Sequence, residues 1–412
     1  MFKNCDLFSV FHLNQINHIE FTLVLSWEVD LIWISHYFRE VCFYKKGRPE
    51  NEYIIKLIYN KNDQIKSVEV GPYLTDAIFA NIIAAIESKL MLQTEQRVSR
   101  KVLFSEVPLS GGYRFKDKFQ ILPLPDCSPK LQYPIGKHPF DLEAIVSCSA
   151  TDMVTATREI RIFREFELLL SGFVDSSIHS MTGASHQWVL LPGEDLQSAY
   201  LQETYNPRRK PFGPSYSDFK ERIPSFEPEE LFNSGSRIIG RPIRIPNNID
   251  QILSNYFLLE ESKRQTILRS CYWIQHAKRI FHYSSSAAFM AIVTAVEVFF
   301  ENIPETKCVE CGQRLVRGKS KSAQFAEFLD CYVPLDEFTD HMYGQKSFRE
   351  RLKHLYNTRS VITHGDHLLS GDNGDLFAFR PVASQERDDV WTLMRIMPYA
   401  LGKLLLNIGQ DI

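Results

Sequence analysis

The sequence predicts an α+β protein: a mixed α/β region over residues 1–202, a connector over 203–246 and an all-α helical bundle over 247–412. Three observations predict it. Runs of β-branched and aromatic residues, such as Tyr53-Ile-Ile-Lys-Leu-Ile-Tyr59, fall in the first half, and these residues suit the pleated surface of a strand. Seven prolines, at 207, 211, 214, 224, 228, 242 and 246, interrupt the middle of the chain and exclude a long helix there. After Pro246 come stretches such as Leu258 to Phe281, with neither Pro nor Gly and many helix formers. At ~150 residues per domain, the 412 residues correspond to two or three domains.

The individual elements follow from local pattern. Tyr53–Tyr59 is a strand, and Ser67-Val-Glu-Val70 is another that stops at Gly71-Pro72. Ile78, Ile82, Ile83, Ile86 and Leu90 repeat at helical spacing, which predicts a helix from Thr75 to about Leu92. Phe119 to Pro125 is a short apolar run between prolines, and Gln187 to Leu191 reads as a strand. Glu159 to Leu170 fits strand and helix equally. The prolines make 203–246 an irregular connector across the surface. In the bundle, Asn247 or Asn248 caps a first helix, and Ser284-Ser-Ser286 caps one running to about Asn302. Others span Ser322 to about Tyr332, Gln345 to His364 and Asp388 to Ile408, the last interrupted at Pro398. A long loop, about Ile303 to Lys321, separates two of them.

Composition excludes several classes. A 44% hydrophobic and 24% charged chain is globular rather than disordered. A net charge of −3 excludes a globally basic nucleic-acid binder. The clusters Arg208-Arg209-Lys210 and Arg314 to Lys321 still permit an RNA substrate, held with a modest salt dependence. Eight cysteines are spread thinly, unlike a secreted disulfide scaffold. No basic n-region precedes a clean apolar core. Glu28, Asp30 and His36 make Phe21–Phe38 too polar for a span of ~20 residues. The expectation is a cytoplasmic protein with no membrane segment. There is no P-loop, dinucleotide fingerprint, Gly-x-Ser-x-Gly or His-Glu-x-x-His.

Chemistry concentrates on the helix that ends at Gly365. Phe348, Leu352, Leu355, Arg359 and Ile362 are spaced by 4, 3, 4 and 3 residues and form one stripe. Arg359 is its single charged member, and a charge on a core-facing stripe must be paired or used. His364 follows five residues later at the helix C-terminus, where the macrodipole favours imidazolium. A titrating imidazole suits proton transfer, and a planar guanidinium suits a developing phosphorane. Arg349 and His354 repeat the spacing, but lie among Glu350, Arg351 and Lys353 on what reads as a solvated face. Two uses of Arg359 fit the pattern: catalysis, or a structural ion pair. Glu297 is the natural partner in either, because it borders the apolar stripe Phe289, Val293, Val296 and Phe300.

The segment Leu355-Tyr-Asn-Thr-Arg-Ser-Val-Ile-Thr-His-Gly365 resembles the signature of the HEPN superfamily, in the form of its Apea-like branch. There an arginine and, a few residues on, a histidine close a late helix. The residue after the arginine is more often Asn, Asp or His, and here it is Ser360. The resemblance covers roughly residues 250–412. It implies a HEPN-type bundle and a metal-independent endoribonuclease. It also implies a homodimer whose two Arg/His pairs face one cleft, which suits residues ~140° apart on a helix. The ribose 2′-OH would attack the adjacent phosphate of a tRNA or mRNA, leaving a cyclic phosphate or a 3′-phosphate. Arg359 and His364 would be catalytic. Glu297 and Ser360 would hold Arg359 or touch substrate; Asp366 and His367, which follow the motif, would touch substrate or the other subunit, or be ordinary loop residues. The biology implied is a toxin of prokaryotic antiphage defence or abortive infection, with residues 1–202 sensing a phage-derived trigger or restraining the nuclease. A non-catalytic RNA- or nucleotide-binding or dimerisation module is the alternative.

Catalysis of this kind needs no cofactor. Cys308-Val-Glu-Cys311-Gly312 has the spacing of a zinc knuckle. Cys331 and His341 are the nearest further ligands for a structural zinc that would pin the long loop, and His282 is another. An unused pair of thiols fits the same residues.

Overall fold

The computed structural model describes residues 18–27, 31–36, 40–45, 53–59, 65–71, 73–88, 95–124, 138–149, 152–180, 188–189, 200–201, 212–213, 215–230, 241–300, 306–307, 314–315, 320–334, 348–365, 368–369, 372 and 381–408. The chain forms two compact units. One comprises residues 1–100, 144–163 and 210–216, and the other 101–143, 164–209 and 217–412. This differs from boundaries near 202 and 246. Prolines mark where regular structure stops, whereas the units divide inside continuous elements.

The first unit holds helix α1 (His18–Trp27) and an antiparallel sheet of β1 (Leu31–His36), β2 (Glu40–Lys45), β3 (Tyr53–Tyr59) and β4 (Ile65–Val70), paired in chain order. Helix α2 (Asp76–Ile86) follows, and the Thr75 hydroxyl accepts from the Ile78 N–H. Phe21, Leu25, Phe43, Ile55, Leu57, Ile82 and Ile86 form the core. Gly71 closes the β3–β4 edge by donating to the Ile54 carbonyl at 2.8 Å. A Cβ there would sit 1.7 Å from the Tyr53 carbonyl oxygen, so only glycine fits.

The boundary passes through β5 (Glu95–Ser105), then β6 (Tyr113–Phe115) and β7 (Phe119–Pro123) precede β8 (His138–Cys148) and α3 (Asp152–Phe173). The undecided segment 159–170 is thus helix. In the second unit β5, β8, β7 and β6 lie side by side in that order, and β9 (Ile178–Ser180) pairs antiparallel with β5. Further strands are two-residue pairings, including Trp188–Val189 with Tyr200–Leu201. The described part of the connector is not a loose crossing. The Ser217 N–H and hydroxyl donate to Glu143 at 2.8 and 2.6 Å, and Arg244 donates to Asp175 at 3.1 Å. Ile223, Phe226, Ile243 and Ile245 are buried. Burial pushes the Asp175 carboxyl up, against the pull of Arg244.

Helices dominate the remainder of this unit: α4 (Ile249–Leu258), α5 (Glu261–Ile280), α6 (Ser285–Glu297), α7 (Lys321–Tyr332), α8 (Phe348–Thr363) and α9 (Pro381–Ile408). Asn248 precedes α4, but its side chain makes no cap bond. Ser284 caps α6 by accepting from the Ala287 N–H at 3.1 Å, and Ser320 caps α7 in the same way at 3.2 Å. α6 ends at Glu297, short of Asn302. α5 and α6 pack along each other, α8 lies on α6 and α7, and α9 touches α4, α5, α6 and α7. α9 runs through Pro398 without a break. Its neighbours Val390, Leu393, Ile396, Met397, Ala400, Leu401 and Leu405 are buried, and that packing outweighs the one backbone hydrogen bond a proline removes.

Candidate active site

Leu352 and Leu355 anchor the apolar stripe of α8 and are buried, whereas Arg359 and Ile362 are half-buried. This slope sets the site. Leucines at the N-terminal turns fix the helix, and its last two turns emerge toward solvent. Arg359 reaches Glu297, the last residue of α6, with Nη2 donating to Oε2 at 3.1 Å. The other oxygen, Oε1, accepts from the Tyr356 hydroxyl at 2.7 Å. A carboxylate at a helix C-terminus meets the negative end of the dipole. Two donors, one on each oxygen, offset that cost. Burial and the Glu297 carboxylate push the Tyr356 phenol well up, so it remains a donor at any physiological pH.

The pair anticipated from sequence is therefore present, and Tyr356 is an added member. Its signal was its position three residues before Arg359, on the same helical side. Arg359 keeps 29% of its side-chain surface exposed. Its Nε is enclosed without a hydrogen-bond partner among the described residues. A single nitrogen is thus committed to Glu297, and the guanidinium retains unused donors.

His364 extends α8 by one residue, its N–H donating to the Ser360 carbonyl at 3.1 Å. Its side chain is exposed, as is that of Ser360. Gly365 has φ +77° and donates to the Ile362 carbonyl at 3.0 Å, the left-handed stop expected of a glycine there. Asp366 and His367 lie outside the described residues.

Beyond them the chain returns to α6. The Leu369 N–H donates to the Ser286 hydroxyl at 2.8 Å. Asp372 accepts from the Ser284 hydroxyl and from the Ser285 and Ser286 N–H groups at 2.7–2.9 Å. Burial pushes this carboxyl up, but the Ser286, Ser284 and Ser285 donors outweigh it and hold it below the usual range. One helix of about 20 Å thus holds the Arg359 end of the motif at its C-terminus and the segment after Gly365 at its N-terminus. No local pattern in the sequence announces Asp372, because its partners are almost ninety residues away.

Arg351 departs from the solvated face assigned to it. It forks onto Asp389 of α9, Nε donating at 3.0 Å and Nη2 bonding the second oxygen. Asp389 is 4% exposed and Arg351 20%. Burial raises the Asp389 carboxyl to about 6, against the pull of Arg351. Lys353 and His354 are exposed as expected.

Cys308, Cys311 and His341 lie outside the described residues, and Cys331 is an exposed thiol near the end of α7. His282 lies 3.6 Å from Glu106. No group of three metal-ligating side chains occurs among the described residues. Among them no helix is long and apolar enough to cross a membrane. Comparison with known proteins gives no matching family model, no matching curated relative and no matching solved structure.

Proposed function

We propose that this chain is a metal-independent endoribonuclease of the HEPN type, acting as a homodimer in prokaryotic antiphage defence. The observation that carries the reading is the seating of Arg359. Glu297 holds it through one nitrogen at 3.1 Å, the remainder of the fork is uncommitted, and the exposed His364 follows at the glycine stop. An arginine serving only to close the bundle gains most from a bidentate, enclosed pair.

In the proposed reaction a ribose 2′-OH attacks the adjacent phosphorus. The bond to the 5′-oxygen of the next nucleotide breaks, leaving a 2′,3′-cyclic phosphate and a 5′-hydroxyl. His364 moves the proton off the nucleophile or onto the leaving oxygen. Arg359 stabilises the charge that grows on the non-bridging oxygens. Residues five apart project ~140° apart around one helix, so a second copy would bring an Arg359 and a His364 from different chains to one phosphate.

The ion pair itself favours the second reading, a binding or dimerisation module in which Arg359 braces α8 on α6. RNA cleavage in EDTA separates the two. Wild type should cut tRNA or mRNA and leave cyclic-phosphate ends, and His364→Ala, folded and in the same oligomeric state, should not. Equal cutting by both proteins would remove His364 from the mechanism.

A further inference from the structure

The outer face of α5 carries chemistry that the cleavage reading does not use. Between Glu261 and Glu297 the chain has five Lys and Arg residues and no Asp or Glu. Within that stretch Arg269, Tyr272, His276 and Arg279 are spaced by 3, 4 and 3 residues, which is one stripe of α5, and Tyr283 follows in the turn after the helix ends at Ile280. Arg269 is exposed, as are Tyr272 at 41% and Tyr283 at 77%, and His276 and Arg279 are half-buried. Two guanidiniums flank two rings along about 15 Å from Arg269 to Arg279, with no aliphatic side chain among the four.

The rings are already ordered. Tyr272 and His276 lie parallel within 2°, centroids 6.2 Å apart, and Trp273 meets both edge-on. The Arg164 guanidinium sits 5.7 Å from the centre of the Tyr272 ring. Arg164 is itself tied to Glu167 at 2.6 Å and to Gln275 at 3.2 Å. Burial and the neighbouring Arg279 hold the His276 imidazole below its usual pKa, so at neutral pH it contributes a ring rather than a charge. Nearby carboxylates are engaged, Glu167 by Arg164 and Gln275, and Glu106 by His282 at 3.6 Å. Neither Arg269 nor Arg279 has a carboxylate partner among the described residues.

We propose that this stripe is a stacking platform for single-stranded nucleic acid, its rings taking bases and its guanidiniums taking the phosphates between them. Charge complementarity selects a polyanion. The rings select one with exposed π faces, which every unpaired base offers and a duplex keeps inside its own stack. An apolar protein partner would require aliphatic surface that the stripe lacks. Ordering before binding lowers the entropic cost of association. The inference rests on this surface and not on the roles of Arg359 and His364.

The test is fluorescence anisotropy of labelled oligouridine with the full chain carrying His364→Ala, in EDTA, with a duplex of equal length alongside. Tyr272→Ala with Tyr283→Ala should weaken strand binding by tenfold or more, from ~1–3 kcal/mol per stacked base. Phe at both positions should restore it. Arg269→Ala with Arg279→Ala should lower the slope of log K against log salt by about 1.4. All these side chains are at least partly exposed, and circular dichroism checks that each variant folds. The proposal is overturned if the parent does not bind the strand, or if the tyrosine variants bind as the parent does. Equal binding of duplex and strand with no dependence on the rings would show a polyanion surface only, and overturns it too. Cleavage by wild type without ring-dependent binding would remove the platform and leave the nuclease. Ring-dependent binding without cleavage would do the reverse.

Discussion

Arg351 and Arg359 lie two turns apart on α8, and each is paired with a carboxylate from another helix, yet the pairs are built differently. Arg351 forks onto Asp389 with both partners largely enclosed. Arg359 touches Glu297 with one nitrogen, keeps part of its surface in solvent, and shares that carboxylate with Tyr356. The first pair engages both carboxylate oxygens and ties α8 to α9. The second leaves donors unspent at the end of the helix where a histidine emerges. What separates the two is how much of the fork the partner consumes.

The contrast breaks most visibly in stability. Arg351→Ala should cost about 3–5 kcal/mol, because it strands the Asp389 carboxylate in the interior. Urea or thermal unfolding reads this directly. Since the folded Asp389 titrates at about 6, above its unfolded value, its favourable contribution is complete at low pH and falls away between about pH 4 and 6. The Arg351→Ala deficit should therefore shrink as the pH drops below 6. A deficit that grows on acidification would contradict a buried carboxylate at that position.

A smaller effect on the fold, but a large one on activity, is expected at His364. Its replacement by Ala should change stability by less than about 0.5 kcal/mol, as for an exposed site, and reduce RNA cleavage by about a hundredfold or more. Parallel loss of both would make His364 a structural residue instead. Next in size is Asp372→Ala, which removes three donors' partner at the N-terminus of α6 and should cost about 1–2 kcal/mol. The Asp372 carboxyl is depressed in the fold, so its contribution is present above the unfolded pKa and disappears as pH falls. Wild type and variant should thus converge in acid. Gly365→Ala should follow, at about 1 kcal/mol from the left-handed backbone, seen as a shift of a few degrees in Tm.

Local signals carried much of the site. The 4-3-4-3 stripe placed Arg359 against the bundle, the neighbouring apolar stripe named Glu297 as its partner, and the glycine stop appears at Gly365 with φ +77°. The serine cap at Ser284 and the β-branched, aromatic run of β3 were equally legible. Long-range relations were not. Arg351 lies on a helical side rich in charge, and nothing near it in sequence reveals the carboxylate of α9. Asp372 is likewise a tertiary cap. The two compact units divide the chain elsewhere than the prolines do, and part of the 203–246 segment is tied down by Glu143 and Asp175. Pro398 did not break α9, since burial of its flanks decides more than one missing N–H. The run of cations and rings on α5 is present in the sequence as well. A search for apolar periodicity passes over it, because its members are cations and rings.

Arg359→Lys is the most direct test that the second arginine works rather than braces. Lysine keeps the charge and a single contact to Glu297 but loses the planar fork. Cleavage in EDTA and the melting temperature would be measured on the same preparation. The expected result is an unchanged Tm with cleavage reduced about a hundredfold, in the range for losing a donor to a transition-state oxyanion. Full cleavage by the lysine variant, or a fall in Tm that accounts for all lost activity, would contradict it.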